Sequence, residues 1–133
     1  MTDLVPDEDI PYRQAVLEGL RVTRGDWTVA VLSTLALGKL AYSDIVDSVN
    51  ATEDRIGWRS HDRPLSNRVL TNTLRRLEED NLVARTEKGG RGRTFDGVDY
   101  QLTEAGQELL IALRPLASWA EKYRGARSST PKA

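Results

Sequence analysis

Apolar residues recur most regularly between Ser66 and Asn81, where Leu70, Leu74 and Leu77 fall at helical spacing and predict one buried stripe. Asn67, Arg68, Thr71, Asn72 and Arg75 lie largely to the other side. Ser66 can accept from the free N–H groups of a first turn, and Asn81 suits the left-handed residue after a last one, so both ends are marked. Upstream, a helix is expected from about Asp9 to Thr23, with Pro11 near its first turn and Tyr12, Ala15, Val16, Leu20 and Val22 apolar. Arg24-Gly25-Asp26 breaks it, and Asp26 is expected to cap a second helix, Trp27 to Leu37. That helix carries Val29, Val31, Leu32, Leu35 and Ala36 with almost no polar face, which predicts a central position. Gly38-Lys39-Leu40 reads as a stop, followed by a short helix from Tyr42 to Asn50 with Tyr42, Ile45, Val46 and Val49 inward.

Downstream of Asn81 the period changes from helical to alternating. Leu82–Lys88 and Val98–Thr103 read as strands, joined through a glycine-rich basic tip, Gly89 to Gly97. Thr103 is placed to cap a long last helix in which Leu109, Leu113, Leu116, Ala120 and Tyr123 form a stripe and Pro115 introduces a kink. Residues 1–8 are expected to be a flexible start and 125–133 a disordered tail around one domain, 9–124. Two helices, a polar-faced helix, a two-stranded hairpin and a long helix predict an α+β, mainly helical fold of the winged helix-turn-helix type, its first and last helices serving dimerisation.

Composition narrows the chemistry. The 133 residues suit one domain; they include no cysteine, which excludes disulfides and thiol catalysis, and one histidine, which argues against a zinc site within one chain. No cofactor is expected. The net charge of -1 argues against a nucleic-acid partner until its distribution is considered. Residues 1–54 hold 4 basic and 10 acidic side chains, whereas residues 55–93 hold 10 basic and 5 acidic. The basic third contains the polar-faced helix, and phosphate affinity follows the local patch. No signal or membrane segment is evident, and a cytoplasmic chain is expected: the start is acidic, and the longest nearly apolar run, Trp27 to Leu37, is too short to span a bilayer.

The polar face has the composition of a base reader. Arg presents a fork to guanine, Asn can both donate to and accept from adenine, and a Thr methyl can touch thymine. Asn67, Arg68, Thr71, Asn72 and Arg75 are therefore the candidate base contacts on double-stranded DNA, with Ser43, Arg76, Arg91 and Arg93 on backbone or groove. The plain alternative is a solvated face, which more usually carries Lys and Glu. Arg91 and Arg93, on the tip, suit an adjacent minor groove. Enzymatic readings fail: Ser60-His61-Asp62 are adjacent and cannot face one another as a triad, and the glycines at 89, 90, 92 and 97 do not lead from a strand into a helix.

Taken together, Gly25-Asp26-Trp27-Thr28, Gly38 with Tyr42-Ser-Asp-Ile45, Leu70 to Val83, Tyr100-Gln-Leu-Thr-Glu-Ala-Gly106 and Trp119 resemble the HxlR family of bacterial winged-helix regulators, within the MarR-like superfamily. The resemblance spans most of residues 24–120 and rests on order and spacing. It implies a homodimeric DNA-binding regulator of transcription, read here as a repressor acting at an inverted-repeat operator. A protein-interaction module on the same fold is the alternative.

The departures are informative. Ile10-Pro11 occupies the region where many members carry a sensing cysteine, and Ala41-Tyr42 replaces the usual Arg-Phe pair. The turn before the reader helix expands to roughly 51–65. Either this insertion is a surface loop pinned by Trp58, with Ile56 and Trp58 pairing as a short strand, or it is functional. In the second case Arg55, Arg59 and Arg63 extend a phosphate-contacting surface, or Trp58 and His61 line an effector site. Tyr12, Trp27, Trp119 and Tyr123 are a further candidate lining for a small-molecule effector pocket, set against simple core packing.

Overall fold

The computed structural model describes residues 6–87 and 97–125. In chain order the elements are α1 (Pro6–Val22), α2 (Thr28–Leu35), β1 (Leu40–Ala41), α3 (Tyr42–Ile56) and α4 (Asn67–Glu79). They continue with β2 (Val83–Glu87), β3 (Val98–Leu102), α5 (Glu104–Ala112) and α6 (Arg114–Lys122). Helices α2, α3 and α4 pack around one core of Val31, Leu32, Ile45, Leu70, Leu74 and Leu77, all essentially inaccessible to solvent. Such a core gains roughly 1.5–3 kcal/mol for each fully buried aliphatic side chain, which is what holds the polar-faced helix in place.

The helix expected from the leucine stripe is α4, and its ends follow the local chemistry. Ser66 Oγ accepts from the Val69 N–H at 3.2 Å. At the other end Asn81 is left-handed (φ 61°). Its N–H bonds to the Glu78 carbonyl, and that of Leu82 to the Leu77 carbonyl, both at 2.9 Å. The chain then enters β2, which pairs antiparallel with β3 from Val83↔Leu102 to Glu87↔Val98. Burial pushes the Tyr100 hydroxyl above its usual range against the opposing pull of Arg85, its partner across the ladder. Thr103 Oγ1 accepts from the Gly106 N–H at 3.0 Å and donates to the Asn81 carbonyl at 2.7 Å, stitching α5 to the end of α4. Gly106 has to be glycine here, because a Cβ would collide with the Leu82 carbonyl.

Several expectations are corrected. Helix α1 starts at Pro6, a turn before Asp9, because proline suits a first helical position, and Pro11 therefore lies inside the helix. Asp26 does not cap α2: Trp27 stands at the cap without a side-chain bond, and Thr28 Oγ1 donates instead to the Arg24 carbonyl at 2.6 Å. Nor is α2 enclosed all round, since Val29 is exposed, and it ends at Leu35, leaving Leu37 exposed beyond it. The stop at 38–40 gives way to β1, which adds a third strand through Leu40↔Tyr100 and Ala41↔Asp99, in the order β1-β3-β2.

The insertion is half helix. The chain stays in α3 to Ile56, so no strand pairs Ile56 with Trp58. Gly57 and Trp58 are both left-handed (φ 79° and 57°) and turn the chain back. For a tryptophan that backbone costs of the order of 1–3 kcal/mol, offset by surroundings that hold it. The last helix is broken, not merely kinked: α5 ends at Ala112, and α6 starts afresh at Arg114 with Pro115 in its first turn.

Candidate nucleic-acid interface

Asn67, Arg68, Thr71, Asn72 and Arg75 are all exposed on α4, on the side away from Leu70, Leu74 and Leu77. Their arrangement is partly preset. Tyr42, the first residue of α3, reaches across and donates its hydroxyl to the Asn67 carbonyl at 2.6 Å. The same oxygen lies 2.7 Å from Thr71 Oγ1. Because a carbonyl can only accept, the Tyr42 proton is committed to Asn67, and Thr71 donates to Tyr42. One aromatic side chain thereby fixes the start of α4 against the start of α3 and orients Thr71. Ser43 lines the shallow cleft there with Tyr42, Asn67, Arg68 and Thr71, about 370 Å³ in volume. A turn further on, Arg75 Nη1 donates to Asn72 Oδ1 at 3.3 Å, which leaves the Asn72 amide hydrogens available to an acceptor outside the protein.

The other flank of α4 is tied to the α1–α2 turn. Arg76 Nη2 donates to the Arg24 carbonyl at 2.7 Å and to Thr28 Oγ1 at 2.6 Å. Arg76, expected on the DNA backbone, clasps α4 to the body through Nη2 while its side chain stays exposed. Gly25 (φ 111°) leaves room for it, since a Cβ would strike the guanidinium. Beyond Arg76 lies a cleft of about 810 Å³ bounded by the 58–63 segment, Trp27 and α4.

The family profile that matches residues 22–128 is that of the HxlR-like helix-turn-helix. The chain belongs to this family. An uncharacterized HTH-type transcriptional regulator from Methanothermobacter thermautotrophicus is 32% identical over 115 residues, which is 86% of this chain and 76% of that protein. A MarR-family transcriptional regulator from Enterococcus faecalis V583 superposes with a TM-score of 0.66 at 24% identity, over 89% of this chain and 93% of that one. The redox regulator HypR in its reduced form superposes with a TM-score of 0.63 at 26% identity, over 87% and 99%. The protein is therefore a transcriptional regulator of the HxlR-like helix-turn-helix family, with the winged helix-turn-helix fold.

The remaining expected site residues are placed as follows. Arg91 and Arg93 lie outside the described residues. Of the four aromatic residues expected around an effector pocket, Trp27 is buried in the body, Tyr12 is exposed on α1, and Trp119 pairs with Tyr123 at a ring separation of 5.8 Å at the end of α6. The cleft that Trp27 lines contains none of the other three. Trp27 instead stacks on His61, 3.5 Å between ring centres and 9° from parallel.

His61 Nε2 donates to the Asp26 carbonyl, and Nδ1 lies 3.1 Å from the Glu53 carboxylate, which is buried and whose Oε1 has no hydrogen-bond partner. Sequence reasoning missed Glu53 and the Tyr42 hydroxyl. Tyr42 was legible as an inward residue, but a hydroxyl at the first position of a helix gives no sign of its partner 25 residues away. No helix among the described residues is long and apolar enough to cross a membrane, and no group of three or more His, Asp or Glu there suits a metal ion.

Proposed function

We propose that the protein is a homodimeric repressor that reads an inverted-repeat operator through α4. The observation that supports this reading is the set of five exposed Asn, Arg and Thr side chains on one helix, with Thr71 and the start of α4 fixed by Tyr42 and Asn72 aligned with Arg75. Arg68 and Arg75 supply forks for guanine, and Asn67 and Asn72 suit adenine. Ser43 holds a phosphate at the start of α3, and Arg91 and Arg93 reach the neighbouring minor groove.

Dimerisation follows from the apolar surface that the two terminal helices leave uncovered. Ile10, Val16, Leu17 and Leu20 share one face of α1, and Leu116 and Trp119 one face of α6, continued by Tyr123 just past its end; all seven are exposed. A two-fold pair closing over these faces sets two reader helices about 34 Å apart, one turn of duplex, and so demands a near-palindromic site.

The test is selection of bound sites from a random duplex library with the wild type and with Arg75→Ala. The expected result is an inverted repeat for the wild type, and in the variant relaxed preference at one position per half-site with an affinity loss of about 1–3 kcal/mol. Absence of any enriched sequence would overturn base reading and favour the protein-interaction module.

A further inference from the structure

The segment 57–65 is far more firmly held than a solvated loop needs to be. Trp58 Nε1 donates to Asp54 at 3.0 Å, and His61 is stacked on Trp27 and bonded to the Asp26 carbonyl. Asn50 clasps the backbone of Leu65 from both sides, donating to its carbonyl at 3.2 Å and accepting from its N–H at 2.8 Å. The Leu65 side chain itself belongs to the core. Left-handed Trp58 adds a backbone that survives only where neighbours enforce it. These anchors tie the segment to α3 and to the core, whereas Arg59 and Arg63 are exposed.

Where those arginines stand gives them a use. They line the 810 Å³ cleft together with Val69, Asn72 and Arg76 of the reader helix, on the flank opposite Tyr42 and Ser43. Arg55, in the last turn of α3, does not line it. Two carboxylates, Asp26 and Asp62, also border the cleft, so its charge is moderated but remains positive. Arg63 is paired with Asp62 at 3.7 Å, but both side chains are more than four-fifths exposed, and such a pair yields readily to a phosphate.

We infer that residues 57–65 form a second DNA-backbone arm, in which Arg59 and Arg63 neutralise phosphates of the strand running beside α4. The inference rests on the reading that α4 lies in the major groove. It makes the insertion a rigid shelf that widens the contact on the side away from Ser43, strengthening binding without reading sequence.

The experiment is the salt dependence of binding to the selected operator and to a random duplex, for the wild type, Arg59→Gln/Arg63→Gln and Arg55→Gln, with thermal melts confirming that each is folded. The double variant is expected to lose affinity by the same factor on both duplexes, to keep its base preference, and to show a log–log salt slope shallower by about 1.8 per protomer. Arg55→Gln is expected to match the wild type. A double variant with the wild-type slope overturns the shelf while leaving base reading intact. A wild type that binds no duplex in a salt-dependent way overturns the reading of α4 itself, and the shelf with it.

Discussion

The reader helix and the terminal helices are all amphipathic, yet they use their apolar faces in opposite ways. On α4, Leu70, Leu74 and Leu77 are at most 1% exposed, closed off by α2, α3 and the sheet within the same chain. On α1 and α6, Leu17 is 64% and Trp119 54% exposed, and of the α1 side chains Val22, in the last turn, packs on the core. The difference separates two tasks. The body that carries α4 completes its own core and needs no partner to hold that helix in shape. The terminal helices present surface that a second copy would cover, so in this account they set the distance between two readers.

The largest effect that would sharpen this contrast lies in the body. Leu74→Ala leaves a cavity where no solvent reaches, with an expected loss of about 2–5 kcal/mol in denaturant unfolding, independent of protein concentration. A smaller and different effect is expected on α6. Trp119→Ser should leave the fold of the body intact but weaken self-association by about 2 kcal/mol, roughly 30-fold, seen by sedimentation on dilution. If Trp119→Ser instead unfolds the chain at all concentrations, the division of labour is wrong. The smallest effect is expected at the start of the reader: Ser66→Ala removes the bond to the Val69 N–H and should cost about 1 kcal/mol, with base preference unchanged.

What could be read in the sequence follows the same divide between local and tertiary causes. The leucine stripe, Ser66, Asn81 and Thr103 act within a few residues of themselves, and the structure places α4, its caps and the start of α5 accordingly. The C-terminal extension of α3 was not legible, because Thr52, Glu53, Asp54 and Arg55 have no apolar period. Glu53 is buried all the same, by His61 returning from the far side of the insertion. β1 is two residues long and exists only because Tyr100 and Asp99 pair with it. Asp26 has the chemistry of a cap, but its carbonyl serves His61 and the helix begins two residues later without it.

The candidate site divides in the same way. Residue types alone singled out Asn67, Arg68, Thr71, Asn72 and Arg75, since base-edge chemistry is a property of side chains. The supports were hidden, because Tyr42 and Arg76 act on residues 25 to 52 positions away.

The most direct measurement of the account is the mass of the protein by light scattering, alone and on the selected duplex. The expected mass is close to twice the 14.9 kDa of the chain for the protein alone, and that mass plus one duplex for the complex, as one dimer per duplex requires. A 14.9 kDa species that binds a single half-site with full affinity would contradict the account, because the exposed faces of α1 and α6 would then play no part in spacing the readers.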